Sequence, residues 1–339
     1  MPQGRWTWAQ AAGAGERIEG AYWQTTPAFW VSDDADEIGY AVRKLIAAGR
    51  ARQALHLAAR DRNEKLPSPL LVELLTEAAN QPFEGDADHN EPTMFQYYVA
   101  EILKHLDERP DVSSDTMVTL EWSYLPVLEY SGRPPKALPK ALSEQPELFV
   151  QVLKAVFKPT EESGVMEPEP DDPERAEGIA HQAYRLLDLW ERIPGTGDDG
   201  TIDTAALEAW IKQARSLAKA AGREEIADHQ IGKLLAASPD GADGVWPTEA
   251  VREAIDLFRS KPMIEGFWIG KSNRRGVTSR LPGAGGELER QEVARYKGYA
   301  EALVYDYPHT AKALATLAES YELDARRQDE EAERRDWGA

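Results

Sequence analysis

Gly270-Lys271-Ser272, inside "GFWIGKSNRRGVTSRLPGAGG" (266–286), has the ending of a phosphate-binding loop, and no acid stands between Lys271 and Arg280. A working loop of that kind needs Gly, four residues, then Gly-Lys-Ser or Gly-Lys-Thr, placed between a strand and a helix whose first amides face the phosphates. Here Gly266 precedes Gly270 by four positions, so three residues lie between them. Asn273-Arg274-Arg275-Gly276 follows where an apolar helix should open. Spacing and context both argue against a nucleotide loop. The charge is a separate matter. Lys271, Asn273, Arg274, Arg275 and Arg280 form a candidate site for an anion or an acidic partner, because the arginine fork matches carboxylate and phosphate. The competing reading is that these cations pair with acids of the same chain.

Other reactive constellations fail on residue type or spacing. There is no cysteine, which removes thiol nucleophiles, disulfides and zinc-thiolate sites. "DADHN" offers Asp86, Asp88 and Asn90 as the first ligands of a calcium loop, but Glu91 stands where the loop needs Gly and Tyr97 where it needs a bidentate Glu. That stretch and "GTGDDGTID" (195–203) read better as acidic turns and helix caps. The 6 histidines are scattered, none in His-Glu-x-x-His, and no Gly-x-Ser-x-Gly elbow occurs. Carboxylates are too many for sequence proximity to select an acid–base pair. No catalytic residue, metal site or cofactor is therefore assigned. Trp246, Phe267 and Trp268 flank loops and are candidate interface aromatics, whereas Trp190 and Trp210 lie in helical stripes and read as core.

The elements that must position these groups are helical. Ile38, Ala41, Val42, Leu45 and Ile46 recur at i, i+3, i+4, and Gly49 follows as a stop. Further stripes run through Leu70–Ala78, Phe95–Leu106, Met117–Leu128, Leu148–Val156, Ala176–Trp190, Leu207–Ala221, Ile226–Leu235, Val293–Val304 and Ala311–Tyr321. Asp203 or Thr204 reads as the N-cap of the helix that ends before Gly222, and Pro247 as the first residue of a helix carrying Val251, Ile255 and Phe258. Strand signals are confined to "MIEGFWI" and "GVTSR", one short hairpin at most, within 263–280. The expectation is an all-α fold: an irregular α-solenoid or helical-repeat array of helix hairpins, with no strict period and no full tetratricopeptide consensus.

Five segments follow from the pattern: an irregular N-terminal stretch (1–34), a first helical array (35–157), an acidic, proline-rich linker or loop (158–177), a second array carrying the loop 266–286 (178–325), and a charged tail (326–339). With 39 Lys and Arg against 59 Asp and Glu, the 339-residue chain carries a formal charge of −20, an unfavourable balance for a nucleic-acid binder. No apolar run approaches the roughly 20 residues that span a bilayer, and the N-terminus lacks an apolar signal core. A cytoplasmic location is expected.

Several stretches carry a resemblance: "EWSYLPVLE" (121–129), "LFVQVLKAVFK" (148–158), "AYRLLDLWERIPGTGDDGTID" (183–203), "IGKLLAASPDGADGVWP" (231–247) and "NRRGVTSRLPGAGGELERQEVARYKGYAEALVYDYP" (273–308). Over most of residues 35–325 the chain resembles the C-terminal helical region of a group of large, mostly uncharacterised bacterial proteins. In them the stretch corresponding to 273–276 reads Asn-Ser-Arg-Gly, with no Gly-Lys-Ser before it. The resemblance brings no catalytic residues. It implies a sensor or scaffold region; helix pairing, the missing catalytic motifs and the acid excess point to a non-catalytic module that binds a protein or peptide, and the alternative is an anion- or nucleotide-sensing domain built on the basic loop.

Overall fold

The computed structural model describes residues 5–26, 34–59, 64–81, 91–129, 131–276 and 285–336. Among them the chain is all-α, with no strand and only an isolated antiparallel pairing of Thr196 with Ile202. Two compact units emerge, residues 1–138 and 139–339. The helices are α1 (Arg5–Gly13), α2 (Glu16–Thr25), α3 (Ala35–Ala47), α4 (Ala51–Ala58), α5 (Ser68–Asn80), α6 (Glu91–Asp107) and α7 (Ser114–Leu128), then α8 (Ala137–Glu144) at the junction. The second unit continues with α9 (Pro146–Val156), α10 (Pro173–Leu189), α11 (Thr204–Ala220), α12 (Glu224–Leu235), α13 (Glu249–Phe258), α14 (Lys261–Asn273), α15 (Glu287–Leu303) and α16 (Pro308–Asp336).

Local chemistry sets the helix ends. Asp34 caps α3 by accepting from the amides of Asp36 (2.9 Å) and Glu37 (3.2 Å), and Asp203 caps α11 through the amide of Ala206 (2.8 Å). Gly49 and Gly222 take the left-handed conformation just past α3 and α11, at φ 73° and 68°. Pro126 sits in the last turn of α7, which stops at Leu128. Pro247 precedes its helix instead of opening it: Thr248 is the cap and α13 starts at Glu249, because the Pro247 carbonyl is turned to accept from Arg252 Nε (2.6 Å). The hairpin allowed at 263–280 does not form over its first half, where "MIEGFWI" belongs to α14; residues 277–280 lie outside the described residues.

In the first unit the stripes of α3 to α7 converge on one core, and Tyr124 donates from within it to the carbonyl of Leu75 at 2.6 Å. Trp8 and Trp23 find each other at 5.6 Å between ring centroids, and Tyr40 lies 5.5 Å from Trp8. In the second unit Phe149 gathers Trp190 (5.5 Å) and Trp210 (5.3 Å), both buried.

Connections between helices are held by buried arginines. Arg133, only 1% exposed, bonds Asp107 and the wholly buried Glu121, whose carboxylate also accepts from the amides of Lys136 (2.9 Å) and Leu138 (2.8 Å). Burial pushes the Asp107 carboxyl up, but hydrogen bonds from Arg133 and Lys136 outweigh it, and the net shift is downward. In the second unit Arg223, at 0% exposure, donates to the carbonyls of Phe157 (2.8 Å) and Ala221 (2.6 Å) and to Glu167 (2.5 Å). Segment 158–177 is thereby fastened inside this unit, with its turn at Glu161–Ser163 against Gly222 through the Thr160 amide (2.9 Å). The tail continues as helix through 326–336, where Asp329 accepts from the Gly286 amide at 2.8 Å.

Removing one partner of a buried ion pair strands the other charge, at a cost of about 3–5 kcal/mol. Glu121→Ala is expected to lower the unfolding free energy of the chain by that amount in urea titration. A loss below about 1 kcal/mol, the level of an exposed pair, would show that this clamp does not hold the α7–α8 connection.

Candidate functional site

The site candidates converge on α14, and α14 is placed by glycine. Gly266 and Gly270 are one helical turn apart and share a face. A methyl group built on Gly266 would stand 2.0 Å from the His229 carbonyl oxygen, and one on Gly232 would stand 2.0 Å from the Met263 carbonyl oxygen. At Gly270 the nearest atom, the Lys233 Cα, would be 2.9 Å away. The backbones of α12 and α14 therefore touch directly, which only residues without a Cβ permit. This accounts for the glycine spacing that imitated a phosphate loop. Lys271 and Ser272 lie in the last turn of a helix, and the Ser272 hydroxyl donates to the Trp268 carbonyl (3.1 Å).

A second pair at the same spacing, Phe267 and Lys271, is turned toward Trp246. The fully buried Phe267 ring stacks on Trp246 at 4.9 Å and 11°, and the Lys271 ammonium lies 4.2 Å from the Trp246 centroid. Trp246 is fixed by its indole N–H, which donates to the Ser238 carbonyl at 2.8 Å. The loop carrying it is tied by Arg252, 2% exposed, through Asp243 (2.7 and 2.8 Å) and the Val245 carbonyl. The Arg252 bond, together with the Val245 amide, holds the Asp243 carboxyl down at about 2.

From Trp246 an aromatic chain runs on. Tyr296 of α15 meets it edge-on at 6.0 Å, and Tyr321 of α16 stacks on Tyr296 at 5.7 Å and 6°. Arg295 lies 5.0 Å over Tyr296 and Arg275 lies 5.0 Å over Tyr321. Burial pushes the Tyr296 hydroxyl up to about 12 and raises that of Tyr321. Burial, and then the neighbouring Arg295, push the Lys271 ammonium down. Among the described residues the Lys271 side chain has no ion pair and no hydrogen bond.

The other sequence candidates are distributed differently. Arg274 donates to the Lys233 carbonyl (2.9 Å) and lies 3.4 Å from Glu191. Arg275 pairs with the buried Glu289 at 2.9 Å. Asn273 is exposed, Trp268 is half-buried, and Arg280 lies outside the described residues. Residues 86–90 also lie outside them, and in "GTGDDGTID" Asp199 accepts from Thr201 while Asp203 caps α11. No group of three or more His, Asp or Glu side chains among the described residues is arranged to hold a metal ion. Sequence reasoning missed Arg295, Tyr296 and Tyr321 as members of the cluster. Their only signal was the stripe position of the two tyrosines.

A separate feature lies where α13 meets the α15–α16 connection. Asp256 caps α16 through the amides of His309 (2.8 Å) and Thr310 (3.0 Å) and the Thr310 hydroxyl (2.8 Å). Around this fixed joint Leu257, Val304 and Tyr305 are exposed, Tyr305 at 93%. No family model matches the chain, and neither a curated protein nor a solved structure does. No helix among the described residues is long and apolar enough to cross a membrane.

Two stability tests follow. Gly266→Ala forces a Cβ into backbone, and overpacking of this kind costs about 1–3 kcal/mol or more. Gly298→Ala, in α15 with nothing within 4 Å, is expected to stabilise by about 0.4–1 kcal/mol, so opposite shifts in melting temperature are the signature. Asp243 is the pH probe. Its carboxyl is lower in the folded chain than unfolded, so its stabilisation is complete above the ordinary carboxylate range and is lost as pH falls through about 2. The melting-temperature gap between the parent and Asp243→Asn is expected to narrow from pH 5 to pH 2; a constant gap would remove Asp243 from the low-pH response.

Proposed function

We propose that this chain is a non-catalytic helical-repeat module of a bacterial protein, a scaffold or sensor region that docks a protein or peptide in the cytoplasm. One observation carries the reading: the exposed Leu257, Val304 and Tyr305 around the joint held by Asp256. Tyrosine is among the residues that most often anchor interfaces. Beneath it two backbone amides and the Thr310 hydroxyl bond a single carboxylate, so little ordering remains to be done on binding. The charge of −20 favours a partner with a basic rim and disfavours nucleic acid. The resemblance to the helical ends of large bacterial proteins agrees with a recognition role. Reaction chemistry has less support, since Arg133, Arg223 and Arg252 are all committed to loop connections.

A photo-crosslinking residue at position 305, compared with one at the equally solvated Lys261 on α14, tests the reading in lysate of the source cells. Adducts at 305 that are absent at 261 are expected. The adduct partner, once purified, is expected to bind the parent chain and to lose roughly tenfold or more in affinity to Tyr305→Ala, as an anchor residue would. The same background at both positions, or an unchanged affinity, would remove this corner from recognition.

A further inference from the structure

Lys271 is the anomaly in the charge distribution. In a chain with 59 acids it is half-buried, and among the described residues its ammonium pairs with no carboxylate and makes no hydrogen bond. The other basic residues of its segment behave differently: Arg274 is spent on the Lys233 carbonyl and Arg275 on Glu289. What Lys271 has is a ring face 4.2 Å away and a second cation nearby, Arg295, carried on the rigid run Trp246–Tyr296. Arg295 bonds Glu292 and the Tyr296 hydroxyl through one terminal nitrogen, Nη2, so its other donors remain available. Asp240 and Glu292 are the acids whose charge reaches Lys271, and neither forms an ion pair with it.

We propose that Lys271 and Arg295 form a subsite for a small oxyanion of the phosphate class, with Lys271 as the point charge and Arg295 as the directional donor. A dianion supplies the bonded counter-charge that Lys271 lacks among the described residues and competes with Glu292 for Arg295. The aromatic rings of the cluster form its floor and do not receive a ligand ring. Trp246, Tyr296 and Tyr321 are all buried and already packed on Phe267 or on one another, so no face is left for a nucleobase. The ligand is therefore recognised by its oxyanion, and a nucleoside attached to it adds nothing. This inference is independent of the docking corner at Tyr305.

The test is a titration of the full chain with inorganic phosphate, pyrophosphate and adenosine monophosphate at fixed ionic strength. Melting temperature and 31P line width are read together. A saturable rise in melting temperature with phosphate is expected, growing as the ligand exceeds its dissociation constant. Lys271→Met is expected to abolish it, Arg295→Met to weaken it severalfold, and Lys261→Met, on the exposed part of the same helix, to leave it unchanged. If Lys271→Met does not fold, Lys271→Arg keeps the charge and is expected to retain binding by 31P line width. The proposal is overturned by a parent that shows no saturable response to phosphate or pyrophosphate. A Lys271→Met variant that responds like the parent also overturns it. So does adenosine monophosphate binding more than tenfold tighter than phosphate, which would mean that a base is being read.

Discussion

The second unit depends on a place where two helix backbones meet without side chains between them. At Gly232, Gly266 and Gly270 an added Cβ would collide with main-chain atoms of the facing helix, so the distance and register of α12 and α14 are set by the peptide units themselves. Register then propagates along α14 at a spacing of four. With Gly266 and Gly270 committed to α12, Phe267 and Lys271 are turned together toward Trp246. Glycine in a helix interior costs about 1 kcal/mol against alanine, and it is tolerated here because nothing larger fits. The stretch that most resembles a reaction motif in one dimension is a packing device in three.

A similar economy governs the loops. An array of helix pairs leaves many helix ends and connections, each with carbonyls that need donors. Two fully buried arginines meet that need, Arg223 across the Phe157 and Ala221 carbonyls and Arg252 across those of Pro247 and Val245, while a third, Arg133, bonds the buried Glu121 carboxylate, which in turn accepts from loop amides. Each also reaches a carboxylate, Asp107, Glu167 or Asp243. The guanidinium suits this work because it offers five donors in one plane and remains charged when buried. Part of the acid excess therefore has a structural use.

What the sequence disclosed divides along the same line between local and long-range physics. Helix stripes, the Asp203 cap, the glycine stops at 49 and 222 and the all-α class were legible, because each is decided within a few residues of the chain. "MIEGFWI" was misread as possible strand, since Ile, Phe and Trp favour strands and a glycine every fourth residue dilutes the helical signal. In the structure the segment is helix, packed backbone to backbone on α12. Segment 158–177 has the composition of a linker, yet Arg223, far along the chain, fastens it; nothing within the segment announces that. Of the site, Trp246, Phe267 and Lys271 were visible as separate candidates, and the structure brings them together. Arg295, Tyr296 and Tyr321 were not visible, because their place depends on how α16 packs on α14 and α15 on α16.

The treatment of Lys271 follows from these constraints. An ammonium held partly out of water needs either a carboxylate or a polarisable surface nearby. Arg274, a fraction of a turn further on, meets the Lys233 carbonyl and Glu191. The lysine is shorter in reach and carries its charge at a point, so with α14 locked by its glycines the ammonium stops over the Trp246 ring. Glu289 and Glu292 are present on α15, but Arg275 and Arg295 take them. The geometry that holds the aromatic chain together thus also leaves the Lys271 ammonium over a ring, with no carboxylate bonded to it among the described residues. A charge in that condition attracts an approaching anion, which competes with Asp240 and Glu292, whose charges reach the ammonium without bonding it.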